Sequence, residues 1–149
     1  MSSQEQKELL PTSLLCINHV AYLCSSVEKS LKFYQEVLGF ELIERPPSLD
    51  FKGAWIHQNG IGIHLLQRST DVDAPAKPSV IDPTSNHISF QCGNIWISKK
   101  KLEDMGVEYV SLAVGDEGVV SDQLYFHDPD RNAVELCDCR KRFLKNRIK

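Results

Sequence analysis

The chain has 149 residues, 42% hydrophobic and 25% charged, with a formal net charge of −3. That size suits one domain or two small modules, and no apolar run approaches the ~20 residues needed to span a bilayer. The mild acidity excludes any general electrostatic pull toward nucleic acid.

The opening "MSSQEQKELLPTS" is polar and acidic where a signal peptide would need basic residues and then an apolar core. Residues 1–13 therefore read as a disordered leader. "LLCINHVAYLC" alternates and is rich in β-formers, which predicts a strand. A helix should follow: Ser25 or Ser26 can cap "VEKSLKFYQEVLG", Val27, Leu31, Tyr34, Val37 and Leu38 make an apolar stripe, and Gly39 ends it. Strands are expected near 40–45, 53–58 and 61–67, the last two joined by the tight turn of Gln58-Asn59-Gly60.

A proline-bearing linker, 69–84, separates this half from a second one. There "NHISFQC" reads as a strand and "SKKKLEDMG" as a short helix ending on Gly106. Strands at 107–112, about 122–127 and 133–138 complete it, the last two joined by the polar loop Asp128 to Asn132. The tail 140–149, "RKRFLKNRIK", holds six basic residues in ten and reads as a solvated end, with an anionic-surface or nuclear-import patch as the second reading.

The two halves repeat. Asn18-His19-Val20 lies over Asn86-His87-Ile88, Cys24 over Cys92, and Gly39 over Gly106. The fold class is therefore α+β, with βαβββ modules at 14–68 and 85–139 forming one domain over 14–139. A four-stranded sheet cannot bury both faces alone, so the modules should pair side by side into a curved mixed sheet with helices on the outer face. Free module edges favour a homodimer, and matched half-sites can meet within a chain or across a swapped dimer.

The five cysteines include no CxxC pair, which argues against structural zinc or a disulfide framework. Cys137 and Cys139 share a strand face and should not readily bridge. A cytoplasmic location follows as the expectation, with the nucleus as the alternative.

His64 is the unusual residue, a titratable ring in the apolar run "GIGIHLLQ". A lone strand histidine is more often a satisfied core or edge residue than a ligand. The repeat reverses that weighting. His19 matches His87, and His64 in "GIHLL" matches Glu135 in "AVELC". Four imidazole or carboxylate donors at two pairs of symmetry-related positions point to one divalent transition metal: Zn, Ni, Co, Mn or Fe. His57 and His127 stand outside the pattern. Trp55 should pair across its hairpin with His64, as a pocket wall or as a core residue between modules; Tyr125 should bear the same relation to Glu135.

These motifs, "NHVAYLCSSVEKSLKFYQEVLGFEL", "GIGIHLL", "NHISFQC" and "LYFHDPDRNAVELC", resemble the vicinal oxygen chelate superfamily and its glyoxalase I-like branch over nearly all of 14–139. The resemblance implies paired βαβββ modules and a metal held by His19, His64, His87 and Glu135. It also implies a lyase or isomerase acting on a small oxygenated substrate, a glutathione conjugate being one candidate, through a metal-stabilised enediolate. Glu135, the single carboxylate of the set, would serve as base as well as ligand. The superfamily's thiol transferases and Fe(II) dioxygenases, the latter using His19, His87 and Glu135, form the alternative; a non-catalytic ligand-binding module is the third.

This chain departs from glyoxalase I in having His64 where those enzymes carry Glu, and Leu23 where they carry a carboxylate-binding Arg. Arg131 replaces the Gly of the usual DPDGN loop. Arg68 could restore the missing positive charge near the substrate or be a solvated linker residue.

Overall fold

The structure is a computed structural model that describes residues 12–69, 76–116 and 119–138. The leader up to residue 11, the linker at 70–75 and the basic tail at 140–149 lie outside the described residues.

The first module runs β1 (His19–Cys24), α1 (Val27–Glu36), β2 (Glu41–Ile43), β3 (Gly53–Gln58) and β4 (Ile61–Gln67). The second repeats it with β5 (His87–Gln91), α2 (Ile95–Asp104), β6 (Tyr109–Asp116), β7 (Val119–His127) and β8 (Ala133–Cys137). Both sheets have the same wiring, β1-β4-β3-β2 and β5-β8-β7-β6. In each the first strand pairs parallel to the last, and the other pairs are antiparallel. The repeat read from the sequence is thus a repeat of topology.

Local chemistry accounts for the element ends. Ser26, one of the two expected caps, accepts from Lys29 N at 3.3 Å. Gly39, at φ +75°, turns the chain so that the Phe40 N–H reaches back to Tyr34 O at 3.0 Å. α2 begins three residues earlier than the expected "SKKK" start. Asn94 supplies the cap, its Oδ1 accepting from Trp96 N and Ile97 N at 3.0 and 3.2 Å. β3 and β4 fall where expected; β2 is shorter, and the β6–β7 hairpin is longer at its turn end.

The modules do pair, but through α1 and the Asp128–Asn132 loop rather than through a common ladder. The apolar stripe on α1 is too wide for one sheet to cover. Tyr34 sits in the first core, Val37 packs against the second, and Phe33 and Leu38 touch both. Phe33 meets Phe126 with ring centroids 6.2 Å apart. Polar groups complete the joint: Tyr34 OH donates to Asp128 Oδ2 (3.0 Å), Ser30 Oγ to Asp130 Oδ2 (3.3 Å), and Ser25 N to Asp130 Oδ1 (2.9 Å). Asp128 is buried, yet it also accepts from Asp130 N, Asn132 N and Asn132 Nδ2. A buried carboxylate with this many donors is satisfied without a counter-ion.

One cysteine expectation is corrected. Cys16, Cys24 and Cys92 are free thiols, but Cys137 is disulfide-bonded to a partner outside the described residues.

Candidate metal centre

Each sheet packs one face against a helix; the opposite face is largely open on the first sheet, whereas on the second it buries Tyr125 and Glu135, each 5% exposed. On the first sheet the packed face holds Ile56, Ile63 and Leu65. The register places His19, Ala21, Leu23, Trp55 and His64 on the open face, with Trp55 and Ala21 directly opposite His64 on either side. The expected Trp55–His64 pair is therefore present.

His64 is the middle layer of an aromatic pile. Trp55 lies on one side, with ring centroids 4.0 Å apart and planes 2° from parallel, and His19 on the other at 3.8 Å and 15°. Gly62 makes this possible, because a Cβ there would stand 3.1 Å from His19 Cβ and 3.3 Å from Asn18 O. His19 Nδ1 is 2.7 Å from Asn18 Oδ1, an acceptor, so Nδ1 carries the hydrogen and Nε2 keeps its lone pair when the ring is neutral. Burial, with the nearby His19 and Arg45 charges, pushes the His64 imidazole below its usual range, toward the neutral form a metal requires.

The second sheet carries the matching pair. His87 Nε2 stands 3.1 Å from Glu135 Oε2, and His87 Nδ1 donates to Ser85 O at 2.7 Å. Metal–ligand bonds of about 2.0–2.2 Å set neighbouring donors of one ion roughly 3 Å apart, so this pair already has the spacing of two ligands. Tyr125, opposite Glu135 in the ladder as expected, meets His87 edge-on at 5.4 Å and donates from its hydroxyl to Gln123 Oε1 at 3.1 Å. Burial, and then the Glu135 charge, raise the Tyr125 hydroxyl and keep it a donor.

Within one chain the four donors do not converge. The structure has two pairs, His19 with His64 and His87 with Glu135, on separate sheets. Among the described residues no group of three or more His, Cys, Asp or Glu could hold a metal ion.

Other sequence candidates fall as follows. Arg68 follows β4, with its N–H donating to Cys24 O at 2.9 Å, and by alternation shares the His64 face beyond Leu66. His57 is exposed on β3. His127 lines a cleft of about 490 Å³ with Lys77, His87, Arg131 and Asn132. Arg131 sits at φ +60° and donates from Nη1 to Lys77 O at 3.1 Å, so it ties the linker to this loop.

One residue was missed from the sequence. Arg45 lies just past β2 on the His64 face, with its guanidinium over Phe51 and against Gly53. The available signal was alternation: Glu41, Ile43 and Arg45 share a side, and Ile43 pairs with Trp55.

The comparisons agree with this architecture. Residues 16–136 match the family model described as Glyoxalase/Bleomycin resistance protein/Dioxygenase superfamily. The chain is 50% identical over 129 residues to "Glyoxylase I 4" of Arabidopsis thaliana, covering 87% of this chain and 74% of that protein. It is 29% identical over 128 residues to "Metallothiol transferase FosB" of Bacillus licheniformis, covering 83% and 75%. Among solved structures, a putative glyoxalase family protein from Bacillus anthracis superposes with a TM-score of 0.66 at 25% identity, covering 83% of this chain and 94% of that one. The fosfomycin resistance protein FosX of Listeria monocytogenes superposes at 0.65 and 20% identity, covering 89% and 98%.

Proposed function

The chain belongs to the Glyoxalase/Bleomycin resistance protein/Dioxygenase superfamily, and we propose that it is a divalent-metal-dependent, glyoxalase I-like lyase whose site is completed by two chains. The His19–His64 pair of one chain would meet the His87–Glu135 pair of another in a homodimer. One observation carries this reading: each module presents a matched two-donor pair on the face away from its helix. In both pairs the first-strand histidine has Nδ1 tied off, which directs Nε2 to its pair partner's side; in the second pair Nε2 meets Glu135 Oε2 at 3.1 Å, a contact a metal would replace. Two such half-sites make a three-histidine, one-carboxylate centre with open coordination positions.

When bound, a divalent ion would supply Lewis-acid stabilisation of negative charge on adjacent substrate oxygens. The chain's own residues do the rest. Glu135 takes the proton from the carbon of a thiol–oxoaldehyde adduct and returns it to the neighbouring carbon, turning a hemithioacetal into a thioester. Tyr125 faces Glu135 across the ladder and presents a protonated hydroxyl beside it. Trp55 forms a flat wall next to His64 that excludes water, and Arg68 lies farther along the same face. The 50% identity to a protein named Glyoxylase I supports the lyase reading over the transferase named in the 29% relative.

The test is elemental analysis of protein purified without added metal, followed by a methylglyoxal–glutathione lyase assay with and without chelator. About one divalent ion per chain, with activity lost on chelation and restored by metal, is expected. Metal-free protein that is fully active would overturn the proposal. Fosfomycin-dependent consumption of thiol, without lyase activity, would assign the transferase reaction instead.

A further inference from the structure

We propose that Arg45 is an oxyanion-binding residue, which receives a carboxylate or phosphonate group of the substrate on the open face of the first sheet. It rests on the reading of that face as half of the active site, and it names the class of substrate the site takes.

Arg45 holds its charge without an ion-pair partner among the described residues. Its Nε and Nη2 are buried and have no hydrogen-bond partner among the described residues. A guanidinium is always charged, and buried donors left without acceptors are among the least tolerated features of a fold. Such groups are expected where a ligand supplies what the protein omits.

The two orphan nitrogens are also the right two. Nε and Nη2 lie along one edge of the guanidinium, with parallel N–H bonds that match the two oxygens of a carboxylate or phosphonate. The rest of the group is fixed. Phe51 stacks beneath it with Cζ 4.4 Å from the ring centroid. On another side is the bare backbone of Gly53, where a Cβ would stand 3.5 Å from Arg45 Cζ and only 2.6 Å from Leu65 O. Glycine is required at 53 by the close approach of β4, and its missing side chain leaves space for a flat guanidinium.

Gly53 and Trp55 are neighbours on one face of β3, and Trp55 stacks on His64. A substrate held by Arg45 would therefore lie against Trp55 with its other end toward the candidate metal ligands. The described ion pairs of this chain do not include Arg45.

The test uses full-length Arg45→Met, which keeps length without charge, and Arg45→Lys, which keeps charge without the fork. Trp96→Phe serves as the common background, so that Trp55 is the remaining tryptophan. Binding of S-methylglutathione, its dimethyl ester and fosfomycin to the protein as isolated is read by calorimetry and Trp55 fluorescence. At least one of the two acids should bind the parent and lose roughly tenfold in affinity in Arg45→Met, with a smaller loss in Arg45→Lys. Metal content should be unchanged. Loss confined to the thioether assigns a carboxylate; loss confined to fosfomycin assigns a phosphonate. If Arg45→Met does not fold, Arg45→Lys and the ester carry the test. Equal affinity in parent and variants, or no binding of either acid to the parent, overturns the proposal. Failure of the lyase reading would show separately, as parent protein lacking metal or activity while acid binding still depends on Arg45.

Discussion

Trp55 lies flat on His64, ring centroids 4.0 Å apart and planes 2° from parallel, while His19 closes the other side at 3.8 Å. The indole thus does for His64 what Asn18 does for His19 and Ser85 for His87: it holds the ring in place. The difference is that a stack fixes the plane of a ring but not its tautomer.

Removing the stack should loosen the ligand. Trp55→Leu is expected to weaken metal affinity about tenfold, at the lower end of effects from residues that support a metal ligand, while Trp55→Phe retains most of it. Competition against a chromophoric chelator measures this. Unchanged affinity in Trp55→Leu would show that His64 is positioned by the sheet alone.

Glu135 is assigned two tasks, ligand and base, so Glu135→Gln separates them. The amide keeps one oxygen donor and the shape of the side chain, but it cannot take a proton. Turnover should fall roughly 10²–10⁴-fold with metal largely retained. Lyase activity equal to that of the parent would remove the base assignment.

The two-chain site makes a prediction about mixtures. His64→Ala and Glu135→Gln should each be inactive alone, yet co-refolding them in equal amounts should restore about a quarter of parental activity, because half the dimers then carry one intact site. No recovery, from variants that demonstrably mix, would place each complete site within a single chain.

The joint between modules has its own pH signature. Burial, and then the Asp128 charge, raise the Tyr34 hydroxyl far above its usual range. The folded protein therefore keeps this proton where the unfolded chain, ionising near pH 10, has lost it. The stabilisation is complete below about pH 10 and lost as pH rises beyond it. Tyr34→Phe should flatten this alkaline decline and, by removing one donor from Asp128, lower stability at neutral pH by about 1–2 kcal/mol. Denaturant melts at neutral and alkaline pH give both numbers. An unchanged alkaline slope in the variant would assign the decline to other groups.

Sequence alone was enough for the modules. Strand alternation and glycine helix stops are local signals, and the internal repeat made each half evidence for the other. The pairs Trp55–His64 and Tyr125–Glu135 were legible because a hairpin's register follows from its turn and its alternation. The start of α2 was missed because Asn94 is an ordinary polar residue until its side chain is seen capping two backbone amides.

Tertiary structure decided how the halves meet and which donors come together. The sequence allowed edge-to-edge sheets, but α1 presents aromatic and aliphatic groups to both cores, and burying that wide stripe sets the contact. Symmetry in the repeat put four donors in equivalent places, yet equivalence is not proximity: β1 neighbours β4, and β5 neighbours β8, so the donors assemble as His19 with His64 and His87 with Glu135. Alternation could place Arg45 on the His64 side, but what it lacks there belongs to the three-dimensional structure. Its unpartnered edge exists because Gly53, Phe51 and the approach of β4 enclose a charge that no residue of the described chain is placed to answer.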